Sequence, residues 1–339
     1  MLRLPKFEVA SPTDVDGAIA LLEQHGEEAM IIAGGTDLVP NMKHELFTPK
    51  VVVSLGEIEE LHGIKEQEGA LFLGAMTTLE EIALDADVLE RAPALAQAAG
   101  LVAGPQLRSM GTLGGNVMLD TRCQWYNQTH FWRQALGYCL KKDGTVCHVV
   151  KGGKNCVAAA SNDTAPALMV LDATLVFAGP EGRREVPVRE LYSPDGIYNK
   201  KVRGEILVGA RLPQKTSGTE HLGAYGKLRE RGSIDFPLFG IAVGLEVKDE
   251  RIERAQLAAV ALQARPQWLA KAAQKLVGAP LSGAGLEEAV EATAALSYRQ
   301  CKPLENIPGD AFWRHEMVPV YVRRTLQAAI QGTGPVHHI

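Results

Sequence analysis

Four of the five cysteines, Cys123, Cys139, Cys147 and Cys156, fall within one 34-residue stretch, and Cys301 stands apart. Clustered thiols either oxidise to disulfides or, as thiolates, hold a soft metal, and in a reducing compartment the second is the expectation. The spacing Cys-x15-Cys-x7-Cys-x8-Cys contains none of the Cys-x2-4-Cys knuckles that bring two thiolates round one turn to a zinc ion. An iron–sulfur cubane accepts such irregularity, because each corner can take its thiolate from a different part of a wrapping loop. Spacing therefore leaves three readings: an iron–sulfur cluster, a zinc site, or unligated thiols. His130 and His148 are candidate substitute ligands or ordinary loop histidines. Trp125, Tyr126, Phe131, Trp132 and Tyr138 crowd between the first two cysteines, enough apolar surface to pack as a small core around a cofactor or to meet another subunit. Cys301, beside Lys302 and Pro303, reads as a buried bystander.

A second kind of chemistry is written in glycines. Ala33-Gly34-Gly35-Thr36-Asp37 and Gly111-Thr112-Leu113-Gly114-Gly115-Asn116 both read as turns following strands. Paired glycines let backbone N–H groups face one concavity and let a ligand approach without a Cβ clash, which suits a pyrophosphate; they also make plain tight turns. Neither is a G-x-G-x-x-G fingerprint, and no phosphate loop, H-E-x-x-H or G-x-S-x-G occurs. Nothing supplies a convincing acid–base pair, so no catalytic residue is assigned.

The elements that must carry these residues follow from periodicity. Ser11-Pro12 reads as the start of a helix running through Val15, Ala18, Ile19 and Leu22 to Gly26. Strands are expected at Met30–Ala33 and Val51–Leu55, a helical turn at Leu38–Lys43, a strand at Leu71–Ala75, and a helix opened by the capping box Thr78–Glu81. The helical pattern continues over Leu89–Ala99. Alternation from Leu168 to Phe177 predicts paired strands. After a polar linker at Gln214–Gly218, strands are expected near Ala224–Lys227 and Phe239–Val247, then helices at Pro266–Val277, Leu286–Leu296 and Trp313–Ile330.

At 339 residues the chain exceeds one core, so two or three domains are expected. A hydrophobic fraction of 46% with 22% charged residues and a net charge of −5 describes a globular protein. The basic doublets are scattered, which argues against nucleic acid. No run approaches the ~18 apolar residues of a membrane span, and Pro5, Lys6 and Glu8 interrupt any export signal; a cytoplasmic location is expected.

The two glycine turns, with Gly74-Ala75-Met76-Thr77-Thr78, Asp163-Thr164-Ala165-Pro166-Ala167-Leu168, Glu205-Ile206-Leu207 and Lys227-x3-Arg231-x3-Asp235-Phe236 in that order, resemble the FAD-binding medium subunits of the molybdenum hydroxylases, over nearly the whole chain. The resemblance implies an α+β fold of three α/β subdomains: residues 1–56 and 57–217, which bind FAD between them, and residues 218–339. It implies cofactor-binding roles for Ala33, Gly34, Gly35, Thr36, Asp37 and Leu38, for Thr112, Gly114, Gly115 and Asn116, for Asp163 near the ribose, Leu207 near the adenine and Lys227 near the isoalloxazine. Val102 stands where some relatives place an aromatic ring over the flavin.

One departure is informative. Residues 120–158, which contain all four clustered cysteines, interrupt the family pattern, and the insertion is similar to that of the 4-hydroxybenzoyl-CoA reductase branch, whose medium subunit carries an extra [4Fe-4S] cluster. That likeness implies a cluster on Cys123, Cys139, Cys147 and Cys156. It implies electrons arriving from ferredoxin and passing by way of FAD toward a molybdenum-cofactor α subunit, where 4-hydroxybenzoyl-CoA is dehydroxylated in anaerobic aromatic catabolism. A [2Fe-2S] γ subunit would complete a dimer of heterotrimers. The alternatives are a hydroxylase subunit passing electrons outward, its insertion stabilised by zinc, and an assembly subunit with a vestigial flavin site.

Overall fold

Three apolar strand sets assemble into three separate sheets in the computed structural model, which describes residues 2–214 and 218–337. The first contains β1 (Glu8–Ala10), β2 (Ala29–Ile32) and β3 (Val51–Ser54), all parallel in the order β1-β3-β2. Val51, Val52 and Val53 on its central strand are buried, as a parallel strand covered on both faces requires. Helix α1 (Val15–His25) crosses between β1 and β2. Its cap is Asp14, whose carboxylate accepts from the Gly17 amide at 2.7 Å, three residues after the Ser11 start that the sequence pointed to. Gly26, at φ 56°, ends it. Helix α2 (Leu38–Lys43) leaves the first glycine turn directly.

The second sheet is antiparallel: β4 (Ile64–Gln67), β5 (Ala70–Gly74), β6 (Thr174–Gly179), β7 (Gly182–Pro187) and β8 (Ile206–Leu212), in the order β4-β5-β8-β6-β7. Strand alternation divides its side chains. Phe72, Val176, Ala178 and Val208 pack against α1 and β3, whereas Leu71, Leu73, Leu175 and Phe177 pack against a helical layer. That layer includes Leu79–Leu84, opened by the Thr78–Glu81 capping box with both bonds made, then Ala86–Arg91 and Pro93–Gly100. The single helix expected over Leu89–Ala99 breaks at Ala92 because Pro93 cannot donate an amide and opens a new first turn. The paired strands expected from Leu168 are also corrected: Thr164–Val170 is a helix with every residue buried, and only Thr174–Gly179 is a strand. A helix apolar on all sides carries no period to distinguish it from a buried strand.

The third sheet, β12-β11-β10-β9, is antiparallel and comprises β9 (Glu220–Leu228), β10 (Phe239–Lys248), β11 (Arg251–Val260) and β12 (Gln267–Trp268). Helices Ala284–Gln300 and Ala311–Gln331 belong to its core. The helix expected at Pro266–Val277 is instead β12 followed by one turn, Ala270–Ala273. Residues 215–217 of the expected linker lie outside the described residues. Among the described residues no helix is long and apolar enough to cross a membrane.

The cysteine insertion has a closed stem. Arg122 and Ala159 exchange both backbone hydrogen bonds at 2.7 Å, the narrow pair of an antiparallel ladder. Everything between them projects as one loop, with a single short helix at His130–Ala135.

Candidate functional site

The two glycine turns touch. A Cβ at Gly34 would lie 1.6 Å from the carbonyl oxygen of Met110, and one at Gly111 would lie 3.6 Å from Thr36 Oγ1. Gly114 approaches the Gly74–Thr78 segment as closely: its amide donates to Ala75 O at 2.8 Å, the same atom a Cβ would strike at 2.8 Å. Three segments distant in sequence therefore meet backbone to backbone, which only glycine permits. Gly35 adopts φ +72°, the left-handed region. The second turn does not follow a strand as expected; it caps a short helix, Leu113–Val117, where Thr112 Oγ1 accepts from the Gly115 amide at 3.1 Å. A Cβ on Gly115 would meet only that hydroxyl, at 3.2 Å, and otherwise open space. Here the turns leave room that a side chain would fill, and the residues fit a ligand laid along bare backbone.

The other candidate residues are largely engaged with protein. Ala33 packs against the first core, and Leu38 begins α2. Asp37 is ion-paired with Arg122 and accepts from Asn41 Nδ2 at 3.1 Å. Asn116 Oδ1 accepts from the Thr164 amide at 3.0 Å and its hydroxyl at 2.6 Å, which locks the second turn to helix Thr164–Val170. Leu207 is buried strand core.

Asp163 and Lys227, which the resemblance sends to the ribose and the isoalloxazine, bond one another. Lys227 Nζ donates to Asp163 Oδ2 at 2.9 Å and to Leu101 O at 2.9 Å, and the Tyr225 hydroxyl donates to Asp163 Oδ1 at 2.8 Å. All three are buried. Burial pushes the carboxyl up and the amine down, against their mutual attraction. The sequence order did not reveal this juxtaposition, nor the part of Tyr225 in it.

The four clustered cysteines line one small cavity, together with Trp125, Tyr126, Leu140, Lys141, His148 and Val149 among others. Cys123, Cys139 and Cys156 are buried and Cys147 is half-buried. Two sulfurs receive amide hydrogens at 3.4 Å, Cys147 from Val150 and Cys156 from Ala158. Gly196 comes so close that a Cβ there would lie 3.0 Å from Cys156 Sγ. Burial raises the Cys123 thiol to about 11 and the Cys156 thiol likewise upward, so a bound cation would have to displace their protons. Among the described residues, no three His, Cys, Asp or Glu side chains are gathered for one metal ion. Four soft sulfurs on one small, aromatic-walled cavity are a donor set of the kind that thiolate-ligated metal sites use. His130 meets the Tyr138 hydroxyl at 3.3 Å, and His148, which also lines the cavity, meets Tyr138 O through Nε2 at 2.6 Å.

Two buried arginines, Arg122 and Arg133, were not singled out by the sequence. Arg133 donates to Asp143 Oδ2 at 2.9 Å and to Glu45 O at 3.0 Å, just beyond the end of α2. Leu46 then joins the core that Cys123, Tyr126, Cys139 and Cys156 form. Helix α2, about 9 Å long for six residues at 1.5 Å each, therefore leads from the first glycine turn toward Leu46 in the cysteine core.

Comparison with known proteins matches residues 5–215 to the FAD binding domain in molybdopterin dehydrogenase and residues 224–329 to the CO dehydrogenase flavoprotein C-terminal domain. The chain is 31% identical to the carbon monoxide dehydrogenase medium chain of Hydrogenophaga pseudoflava over 96% of this chain and 97% of that one. It is 25% identical to the xanthine dehydrogenase FAD-binding subunit of Escherichia coli O157:H7 over 94% of both. The solved carbon monoxide dehydrogenase of H. pseudoflava superposes with a TM-score of 0.78 at 28% identity, covering 96% of this chain and 98% of that one.

Proposed function

This chain belongs to the family of FAD-binding medium subunits of the molybdenum hydroxylases, and from that premise we propose that it is an electron carrier with two redox sites, FAD on the glycine turns and a [4Fe-4S] cluster on Cys123, Cys139, Cys147 and Cys156. FAD exchanges electrons in pairs or singly and a cubane one at a time, so a chain holding both connects a one-electron donor to a two-electron partner. The observation that carries the reading is that all four thiols of the insertion line one cavity, a donor set of the kind an iron–sulfur cluster takes. The chain's own residues supply a backbone cradle at Gly34, Gly35, Gly114 and Gly115, and a water-poor, aromatic wall around the sulfurs. Substrate chemistry then belongs to a molybdenum-bearing partner, with a small iron–sulfur subunit between, by analogy with the complexes of the relatives. The finer proposal is the reductive removal of the hydroxyl of 4-hydroxybenzoyl-CoA on that partner, with a ferredoxin-type donor; the insertion supports it.

A second reading has its own support, since the relatives named above are dehydrogenases of carbon monoxide and xanthine. It makes this a hydroxylase subunit passing electrons outward. Iron, sulfide, zinc and flavin analysis of the purified protein separates the two. The cluster reading expects about four iron and four sulfide per flavin and no zinc; stoichiometric zinc without sulfide would leave the hydroxylase reading standing. In the complete complex, the cluster reading also expects flavin reduction by reduced ferredoxin and not by NADH.

A further inference from the structure

Arg122 is where three parts of the molecule meet. Its backbone closes the stem of the insertion on Ala159, its chain neighbour Cys123 lines the sulfur cavity, and its guanidinium pairs with Asp37 of the first glycine turn. On its other side the guanidinium carbon stands 4.6 Å from the ring centroid of Phe236, an exposed residue of the loop after β9. The Arg122 side chain is only 10% exposed, and its Nε has no acceptor. A guanidinium held this way is a fixed charge rather than a surface partner.

Resting on the two-site reading above, we propose that the Arg122–Asp37 pair sets the reduction potentials of both sites and that Arg122 is the positioning residue that holds them in register. Reduction adds negative charge to either site. An uncompensated guanidinium at the largely buried Arg122 favours that charge, and an uncompensated carboxylate at Asp37, a third exposed and so partly screened by solvent, opposes it more weakly. The intact pair keeps the local field near neutral. The two halves of the contact must therefore act with opposite sign, which no purely structural role would produce.

The test uses the full chain in its native complex, with flavin and iron content measured first and midpoint potentials of both centres by spectroelectrochemical titration. Arg122→Met leaves Asp37 uncompensated and should shift the flavin and iron–sulfur potentials downward. Asp37→Asn leaves the guanidinium and should shift them upward. Arg122→Lys retains the charge and should stay near the wild-type values, and Phe236→Leu, which removes only the ring, should do the same. Shifts of the same sign in Arg122→Met and Asp37→Asn, or none in proteins that retain flavin and iron, would overturn the proposal alone. A wild-type protein without flavin would overturn the two-site reading and this proposal with it. If Arg122→Met does not fold, equal potentials in Asp37→Asn and wild type suffice to reject it.

Discussion

Each carboxylate oxygen of Asp163 accepts a hydrogen bond, one from the Tyr225 hydroxyl and one from Lys227 Nζ, so the two buried charges compensate one another. The residues stand 64 positions apart, and their types alone left each free to serve a ligand; only the folded chain shows that each is the other's partner. Lys227→Met should cost about 3–5 kcal/mol, the penalty of stranding a buried charge. Adding Asp163→Asn should recover a large part of it, read by urea unfolding as a double-mutant cycle; additive losses would mean the two do not interact. The cysteines were more legible, because four thiols in 34 residues admit few explanations. Cys301 follows the bland reading: it is fully buried and pushed up to about 12 by that burial. It should resist iodoacetamide in the native protein at pH 8 and react only on unfolding, which peptide mass mapping would show; native-state labelling would contradict its placement.

Local signals were legible where the chemistry is local. The Thr78–Glu81 capping box and the Gly26 terminus needed only neighbouring residues to form. Strand β11 escapes the pattern because Arg251, Glu253 and Arg254 face solvent at its start and blur the apolar run, and the end of helix Thr164–Val170, from Leu168 on, reads as strand because the helix is buried on every side. The glycine turns were legible as turns but not as neighbours. Their contact makes Gly34→Ala the severe substitution: its Cβ would overlap the Met110 carbonyl, and separating the turns should cost about 3 kcal/mol or more and abolish flavin binding. Gly115→Ala meets only the Thr112 hydroxyl, so it should cost at most about 1 kcal/mol, the worth of that cap, yet still weaken flavin retention. Thermal unfolding and flavin absorbance of the two proteins separate fold from site; equal flavin content in Gly115→Ala and wild type would exclude the cradle.

At the scale of the whole molecule, the insertion hangs from a single stem. It leaves and returns at one hydrogen-bonded pair, Arg122 and Ala159, whose Cα atoms in such a pair stand ~5.5 Å apart. A two-residue Asn-Gly turn can close that gap. The loop meets the rest of the protein through the packing of Leu46 against Cys123, Tyr126, Cys139 and Cys156, the bonds of Arg133 and His130 to Glu45 O and His44 O, those of Lys141 to Asp120, Thr121 and Gly196 O, those of Cys156 with Asp195 and Gly196, that of the Tyr126 hydroxyl to Asp120, and the contacts of Gln124 and Val157 with Glu305 and Asn306. The three sheets and the touching glycine turns lie outside it. Replacing residues 123–158 by Asn-Gly should therefore give a protein that folds with a lower melting temperature, keeps FAD, and contains no iron. Arg122 and Asp37 remain in that protein, so their ion pair persists and the flavin turn keeps its anchor. Circular dichroism, flavin absorbance and iron analysis of the pruned chain decide the matter. Should the flavin leave with the loop while the fold survives, the insertion would be part of the flavin site, and the separation into a family framework and an added redox loop would be wrong.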